Sequence, residues 1–318
     1  MTTTPTTPAP VLAPPLDARS ALFDVLGDHL RRPPADGRAP VSALVCLLAP
    51  VGVSEPAVRT AVSRMRQQGW LDAVRLPQGP GYALTGRAER RLDEAARRIY
   101  RTAATPWDGR WHLLVVRPPP GRTERERLHA SLRYLGYGCL GGHTCVSPRP
   151  AAELDAVLAD AGATGQRFTA RHEGDADTLV DRAWDLAELA QSYRRFLSEA
   201  RARLEAACTC TDEGAFAARL HLVHAWRRFL NVDPALPAEL LPADWPGTTA
   251  AAWFDEQAAR LHPAARRYVE TCLAAAGSPL PAAPEGHLPC PRRPSGTAPC
   301  SSTSSTASPP SSSTARRA

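Results

Sequence analysis

The chain has 318 residues, a length that allows two or three domains with sizeable buried cores. Its hydrophobic content is 43%. All 38 basic residues are arginine, and against 32 acidic residues they give a net charge of +6. A GC-rich genome also favours arginine, so this charge is only weak support for an anionic partner. No apolar run approaches the roughly 20 residues that span a bilayer, which argues against a membrane protein.

Both ends of the chain have low-complexity composition. Residues 1–16 lack the basic start and the apolar core of a signal peptide, so we expect a disordered N-terminus and a cytoplasmic protein. Residues 277–318 are dominated by Pro, Ser, Thr and Ala, which predicts a disordered tail because they bury too little apolar surface.

Most of the eight cysteines lie in apolar stretches, as Cys46 does in VSALVCLL, and we expect reduced core thiols in a cytosolic chain.

Residues 17–102 are predicted to form a mostly helical unit with one hairpin. RSALFDVLGDHLRR has apolar residues on one helical face, and PVSALVCLLAPVG is a more buried helix closed by Pro50 and Gly52. A third helix follows in SEPAVRTAVSRMRQQGW, and GWLDAVRL and GYALT then flank the turn PQGPG. Thr85 caps a polar helix, GRAERRLDEAARRIY. This order predicts a winged helix-turn-helix domain.

The third of these helices has an apolar back and a polar front. Ser54 is a good N-cap, and Pro56 is tolerated in a first turn because the amide there has no intrahelical partner. The apolar positions follow helical spacing and should bury against the two earlier helices: Val58, Ala61, Val62 and Met65. The opposite faces carry side chains of the kinds that read DNA: Arg59, Thr60, Ser63, Arg64, Arg66 and Gln67.

An arginine on such a helix can bond two acceptors of guanine at once, or hold a phosphate. Gln78 and the backbone of the wing would lie within reach of a flanking DNA backbone. The alternative is an ordinary solvated helix in an arginine-rich protein. The hairpin after the helix and the two helices before it favour DNA binding.

Two further regions follow the winged helix. Residues 103–177 alternate strand and helix in a β-α-β-β-α-β order, from the strand RWHLLVVR to the strand QRFTARH, which predicts a ferredoxin-like α+β domain. Residues 178–276 are predicted to be helical throughout, with a proline-punctuated loop, VDPALPAELLPADWPG. The fold class is therefore α+β, with an N-terminal winged helix-turn-helix, a central ferredoxin-like domain and a helical C-terminal domain.

Several long motifs stand in order along the chain: ARSALFDVLGDHLRR, LLAPVGVSEPAVRTAVSRMRQQGWLDA, ALTGRAERRL, RRIY, PWDGRWHLLVV, LRYLGYGCL and LVHAWRRFLNVDPALPAELLPADWPG. In these motifs the chain resembles the PaaX-like family, the phenylacetic-acid degradation repressors, over about residues 18–275. The resemblance implies a dimeric transcriptional repressor that leaves its operator when phenylacetyl-coenzyme A binds. The serine-rich tail departs from the compact end that is usual in the family.

The resemblance also directs attention to an effector site. A coenzyme A thioester carries phosphates that arginine binds well and an acyl group that fits an apolar pocket. Trp226, Arg227 and Arg228 in HAWRRFL are therefore effector-site candidates, and Arg266 and Arg267 form a second arginine pair downstream. The alternative for HAWRRFL is an aromatic core residue flanked by solvated arginines.

Metal and catalytic chemistry have weaker support. Four residues could supply metal ligands, but C-x-C is an uncommon zinc spacing, so we predict neither a metal nor a cofactor; the four are Cys208, Cys210, His221 and His224. The acids of the central region form no recognisable motif: Asp108, Glu124, Glu126, Glu153 and Asp155. A metal-dependent nuclease or other enzyme on the ferredoxin-like domain is therefore the less favoured alternative. A nuclease assay with and without magnesium separates it from a repressor.

The favoured prediction is a homodimer that binds a palindromic operator and responds to an acyl-coenzyme A. Two copies of the 54–68 helix would enter successive major grooves about 10 base pairs apart, or a multiple of that distance. A DNA-binding architectural protein without a ligand is a third possibility, but it would not need the large region after residue 103.

Overall fold

The structure is a computed structural model that describes residues 16–33, 35–77, 79–100, 107–141 and 143–276. The predictions of disorder for the two ends, and the wing residue Gln78, fall outside these residues, apart from Leu16. The described chain confirms the predicted α+β architecture, with a winged helix, a ferredoxin-like sheet and a helical C-terminal region. None of its described helices combines the length and the apolarity needed to cross a bilayer.

The described residues of the winged-helix region form four α-helices and a small antiparallel sheet. Its elements are α1 (Ala18–Val25), a π-helical turn (Leu26–Leu30), β1 (Arg38–Pro40), α2 (Val41–Leu48), α3 (Glu55–Gln67), β2 (Leu71–Leu76), β3 (Gly79–Leu84) and α4 (Gly86–Ile99). The strand order is β1-β3-β2. Strands β2 and β3 are the predicted hairpin, whereas β1 was not predicted, because three residues are too few to show a strand period.

Two caps show how the sequence sets helix starts in this region. Thr85 caps α4 as predicted, since its side chain accepts a hydrogen bond from the Ala88 amide at 3.2 Å. Asp17 does the same for α1 by accepting from the Ser20 amide at 3.0 Å. The turn between α2 and α3 depends on Gly52, whose φ of 78° is left-handed backbone that favours glycine. The caps set the starts of α4 and α1, and the Gly52 turn precedes the start of α3.

The central region is the predicted β-α-β-β-α-β unit. Its elements are β4 (Trp111–Arg117), α5 (Arg122–Tyr134), β5 (Gly138–Gly141), β6 (Thr144–Ser147), α6 (Leu154–Asp160) and β7 (Thr164–Ala170). The antiparallel strand order is β5-β6-β4-β7. Alternate residues of β4 point to opposite faces, so Leu114 and Val116 pack against α5 and α6 while Trp111 faces the C-terminal helices.

The C-terminal region is helical, as predicted. Its elements are α7 (Ala176–Ala183), α8 (Leu186–Ala206), α9 (Asp212–Arg227) and α10 (Pro246–Ala275). Aromatic side chains fill the core between these helices, including Tyr193, Phe196, Trp226 and Phe254. Helices α9 and α10 also contribute Phe216, Leu220, Ala265 and Val269 to the core of the winged helix, so those two regions share one apolar interior.

A disulfide joins the same two regions. Cys46 of α2 is bonded to Cys272 of α10, with their Cα atoms 5.9 Å apart and a sequence separation of 226. The expectation of reduced core thiols is therefore wrong for this pair. The two residues lie in separate apolar stretches, and only the packing of α2 against α10 brings them together, so sequence spacing could not have paired them.

Candidate nucleic-acid interface

Helix α3 begins where the sequence indicates, but without the expected side-chain cap. Ser54 occupies the N-cap position with extended backbone, and Pro56 lies in the first turn. The Ser54 side chain makes no capping hydrogen bond, which corrects the prediction of a good N-cap. The backbone carbonyl of Ser54 still accepts from the Val58 amide at 3.0 Å, so the helix starts at the expected residue although Ser54 itself is exposed.

The inner face of α3 docks the helix on the winged-helix core. Val58, Ala61, Val62 and Met65 are all at most 6% exposed and belong to the core shared with α1 and α2. Fully burying a Val or Met side chain contributes about 1.5–3 kcal/mol, so this stripe fixes the rotation of the helix about its axis. The opposite face is thereby committed to solvent.

All six predicted DNA-reading side chains of α3 lie on that exposed side: Arg59, Thr60, Ser63, Arg64, Arg66 and Gln67. Arg59 is paired with Glu55 one turn earlier, with an Nη2–Oε1 distance of 2.7 Å. Both members of this pair are about half exposed, so the pair is weak and can open for another acceptor. Arg64 and Arg66 lie in the last turn, where the helix dipole favours cations.

The wing lies directly after α3. Strands β2 and β3 pair in register from Leu71 opposite Leu84 to Leu76 opposite Gly79. The turn residue Gln78, predicted to reach a DNA backbone, lies outside the described residues. Arg75 of β2 is exposed and adds a cation that sequence reasoning missed. Its position on the solvent face of an alternating strand was the available signal.

The winged helix is fastened to the C-terminal helices by a buried ion pair. Arg219 of α9 donates from Nε and Nη2 to the two carboxylate oxygens of Asp28, at 2.7 and 2.9 Å, and to Tyr100 Oη at 2.9 Å. The side chains of Arg219 and Asp28 are only 5% and 6% exposed. Arg219 also donates to the carbonyl of Ala258 on α10. One guanidinium thus ties the π-helical turn to α4, α9 and α10.

The pKa values in this cluster are shifted by burial and by the neighbouring charges. Burial alone would raise the pKa of Asp28, but the adjacent His29 and Arg219 lower it to about 2. Burial lowers the pKa of His29 to about 4, so its ring is neutral at pH 7. Burial also raises the pKa of Tyr100, which keeps its hydroxyl protonated as a donor to Asp28. A second buried carboxylate, Asp24, accepts from His224 and Arg227 of α9.

Comparison with known proteins matches three family models along the chain. Residues 17–88 match the PaaX-like protein family, residues 104–179 match the PaaX protein central Cas2-like domain, and residues 184–271 match the PaaX-like protein C-terminal domain. The chain is 31% identical over 271 residues to Transcriptional repressor PaaX of Escherichia coli (strain K12), which covers 81% of this chain and 85% of that protein. The chain belongs to the PaaX-like family.

A solved structure shares the fold of this PaaX-like chain. It is the uncharacterized protein Rv0674 from Mycobacterium tuberculosis, which is 30% identical, with a TM-score of 0.56. The match covers 80% of this chain and 98% of that one. The similarity extends beyond the winged helix, so the arrangement of the later regions is part of what the two proteins share.

The structure places the three effector-site candidates in three different settings. Trp226 is 5% exposed and stacks on Phe254 with ring centroids 4.7 Å apart, which makes it part of the aromatic core. Arg227 is held by the buried carboxylate of Asp24, while Arg228 is exposed to solvent. The second pair, Arg266 and Arg267, is also exposed. The candidates therefore do not converge on one cavity.

A cavity of about 580 Å³ lies beside Trp226, where α4, the loop after β6 and α8–α10 meet. Its apolar wall is partly aromatic, and its three cations, Arg97, Arg98 and Arg149, come from α4 and from the loop after β6. Arg98 is occupied by the carbonyls of Tyr134 and Asp233, but Arg149 Nε is buried with no hydrogen-bond partner among the described residues. Sequence reasoning missed these arginines because they lie far from HAWRRFL along the chain.

The four residues considered as metal ligands do not form one site among the described residues. His224 bonds Asp24 through Nδ1 at 2.7 Å, and the Sγ atoms of Cys208 and Cys210 lie 2.8 Å apart in the loop before α9. Burial lowers the pKa of His221. Within the part of the chain that the structure describes, no group of three or more His, Cys, Asp or Glu side chains could hold a metal ion.

Most of the acids considered for catalysis pair with arginines at separate places on the surface. Asp155 accepts from Arg167 at 2.7 Å, and Glu126 accepts from Arg122 at 2.8 Å. Asp108, Glu124 and Glu153 lie on other parts of the surface, near Arg110, Gly121 and Arg91 respectively. These five acids do not form a shared catalytic cluster.

Proposed function

We propose that this chain is a homodimeric transcriptional repressor that acts in the cytoplasm and binds a palindromic operator through α3 and the β2–β3 wing. The observation that carries the proposal is the division of α3 into a buried apolar stripe and an exposed front of arginine, serine, threonine and glutamine. The similarity to a transcriptional repressor supports the same role, and supports a regulator rather than an enzyme. Two copies of α3 would enter successive major grooves about 10 base pairs apart, or a multiple of that.

Substitution of α3 arginines tests this proposal. The probe is the DNA upstream of the phenylacetate catabolic genes in the source genome, with a scrambled duplex as competitor. Arg59→Ala and Arg64→Ala should each weaken operator binding by about 1–3 kcal/mol, or roughly 5- to 150-fold, since a bidentate base contact is worth that much. Arg228→Ala, which removes an exposed arginine of the C-terminal region, is the matched control. Unchanged affinity and sequence preference in both α3 variants would remove this helix from the interface.

We further propose that the repressed genes serve phenylacetate catabolism and that phenylacetyl-coenzyme A releases the operator. The cavity beside Trp226 supports this, because its 580 Å³ lies within the range of small-molecule sites and it joins an aromatic wall to arginines. An aromatic acyl group would pack on Trp226 and its neighbours. The phosphates would meet Arg97 and Arg149 instead of Arg227, whose guanidinium is held by Asp24.

The position of this cavity supports a route from effector to DNA. Trp226 lies two turns after Arg219 on α9, and Arg219 holds Asp28 of the winged helix. A ligand that packs on Trp226 would act on the helix that also anchors the DNA-binding region. Release then requires that the effector bind more tightly to a dimer geometry in which the two α3 helices no longer match the operator spacing.

Operator release measured with phenylacetyl-coenzyme A and with free phenylacetate tests the effector. We expect release by the thioester alone, because only the thioester supplies the phosphates. Arg149→Ala should raise the concentration needed for half-release, whereas Arg260→Ala, an exposed arginine on α10, should not. Release by free phenylacetate at equal concentration, or an unshifted Arg149→Ala titration, would contradict this site. DNA binding by α3 would stand in either case.

A further inference from the structure

Two thiols face each other across the edge of the central sheet. Cys139 on β5 and Cys145 on β6 are direct register partners in the antiparallel pair. Such partners have Cα atoms about 4.5–5.5 Å apart, which is within the span of a disulfide. β5 is an edge strand with a bulge between Cys139 and Gly141, so its backbone can adjust without disturbing the rest of the sheet.

The two thiols differ in access. Cys139 is half-buried and lines a cleft of about 960 Å³ that also contacts α5, α8 and the segment after α9. Cys145 is 1% exposed and belongs to the core of the central region. A small solute that enters the cleft can therefore reach Cys139 directly, and can reach Cys145 only through it.

The surroundings of Cys139 favour its thiolate. His129 of α5 places Nδ1 3.7 Å from Cys139 Sγ, and Arg133 lies one turn further along the same helix. A hydrogen bond from the Cys145 thiol, followed by the contributions of His129 and Arg133, lowers the pKa of Cys139 to about 6. The same hydrogen bond raises the pKa of Cys145. These effects favour a thiolate at Cys139 beside a protonated thiol at Cys145, as in reactive dithiols.

We propose that Cys139 and Cys145 form a dithiol that hydroperoxides oxidise to a cross-strand disulfide, with Cys139 as the attacking thiol and Cys145 as the resolving thiol. The Cys139 thiolate attacks one peroxide oxygen, the O–O bond breaks, and the alcohol or water leaves after taking a proton from solvent. Cys139 is then a sulfenic acid. The Cys145 sulfur attacks Cys139 Sγ, the S–O bond breaks, and the hydroxide leaves as water with the Cys145 proton. Two thiols are oxidised, and one hydroperoxide is reduced to an alcohol and water.

This site is independent of the proposed repressor function, because its cleft shares no lining residue with α3, the wing or the cavity beside Trp226. It also differs from the other cysteine pairs. Cys46 and Cys272 are already joined, and Cys208 and Cys210 lie in the loop before α9 and not on paired strands. Cys139 is the thiol for which the structure shows a cleft, a histidine and a buried resolving thiol together.

The test treats the full chain with one equivalent of hydrogen peroxide at pH 7, alkylates the remaining thiols and maps the peptides by mass spectrometry. We expect a peptide pair linked through Cys139 and Cys145. Cys145→Ser should stop the reaction at a Cys139 sulfenic acid that dimedone traps. His129→Gln should slow the loss of the Cys139 thiol by about threefold or more, because less thiolate is present. His172→Gln, an exposed histidine outside the cleft, is the matched control.

Three results would overturn the proposal. One is that peroxide leaves Cys139 and Cys145 alkylatable while other cysteines react. Another is a dimedone adduct on Cys145 with none on Cys139, which would reverse the assigned roles. The third is an equal slowing in His129→Gln and His172→Gln. Circular dichroism and the Tm of each variant before oxidation show whether it folds like the wild type, so a missing cross-link cannot be attributed to unfolding.

Discussion

The winged-helix region uses arginine in opposite ways on its two sides. On the outer side, Arg59, Arg64 and Arg66 of α3 are exposed, and the only described pair among them is the half-exposed contact of Arg59 with Glu55. On the inner side, Arg219 enters from α9, is 4% exposed and holds Asp28. An exposed charge remains hydrated and has little desolvation cost, whereas a buried charge is tolerated only with a partner. The outer arginines are therefore available to a ligand, and the inner one holds the domain in place.

This contrast predicts two separable classes of variant. Changes on the inner side should lower the free energy of unfolding and, in the absence of effector, leave the operator affinity of the folded molecule unchanged. Changes on the outer side should alter operator affinity and barely change unfolding. An inner-side variant that is fully folded under the assay conditions and still binds DNA more weakly would show that the two sides are coupled.

The largest effect is expected from the disulfide on the inner side. Joining Cys46 to Cys272 closes a loop of 226 residues, and the loss of chain entropy in the unfolded state corresponds to up to about 5 kcal/mol. A reductant should therefore lower the Tm of the wild-type chain. Without reductant the Cys46→Ala/Cys272→Ala variant should have the lower Tm, and its Tm should not respond to the reductant. An equal response to reductant in variant and wild type would assign the stabilisation to other thiols.

The next largest effect is expected at Arg219. Arg219→Met leaves Asp28 buried without its main partner, which typically costs about 3–5 kcal/mol, measured by denaturant unfolding. Adding Asp28→Leu should restore much of this loss, because an apolar pair does not leave a charge unpaired. Arg228→Ala, at an exposed position just beyond the end of α9, should change stability by less than about 0.5 kcal/mol. A double variant no more stable than Arg219→Met would show that packing, not the charge pair, is what Arg219 supplies.

Acid should weaken the inner side in two steps. His29 has a pKa of about 4 in the folded chain, against an ordinary value of 6.5. Between these pH values the unfolded chain binds a proton that the folded chain does not. The free energy of unfolding therefore falls as the pH drops from 6.5 to 4. By linkage this amounts to about 3 kcal/mol at pH 4. Asp28, with its pKa lowered from 3.8 to about 2, contributes stability that is lost below pH 3.8.

The variant His29→Gln isolates the first of these steps. Unfolding free energy measured from pH 7 to pH 4 should fall less steeply in His29→Gln than in the wild type. The slope should not vanish, because burial also lowers the pKa of His221 and His262. His172→Gln, at an exposed position, should keep the wild-type slope. Parallel curves for His29→Gln and the wild type would place the acid sensitivity elsewhere.

The outer side was predictable from sequence because it depends on local spacing. The 3.6-residue period of Val58, Ala61, Val62 and Met65 determines which face of α3 is buried, and the front residues then follow. The hairpin was equally local, since a Pro/Gly turn marks it. The register of β2 and β3 follows from that turn.

The inner side was not predictable because every contact there is long-range. Asp28 and Arg219 are 191 residues apart, and both occupy positions that the sequence assigns to ordinary amphipathic helices. The same reason explains why Arg227 was weighed as an effector ligand, since no local pattern shows that Asp24, 203 residues away, holds it. The cavity beside Trp226 likewise draws Arg97 and Arg149 from two other regions of the chain.

The smallest effect, and the sharpest test of the contrast, is expected from Glu55→Gln on the outer side. This change removes the weak pair with Arg59 and a favourable charge in the first turn of α3, so stability should fall by about 0.5 kcal/mol. Operator affinity should rise instead, because Arg59 is freed and a carboxylate near the phosphates is lost. Glu270→Gln breaks the matching Arg266 pair on α10 and should lower stability without changing affinity. A loss of affinity in Glu55→Gln would mean that Glu55 orients Arg59 for DNA, and that the outer side is preorganised in the same way as the inner one.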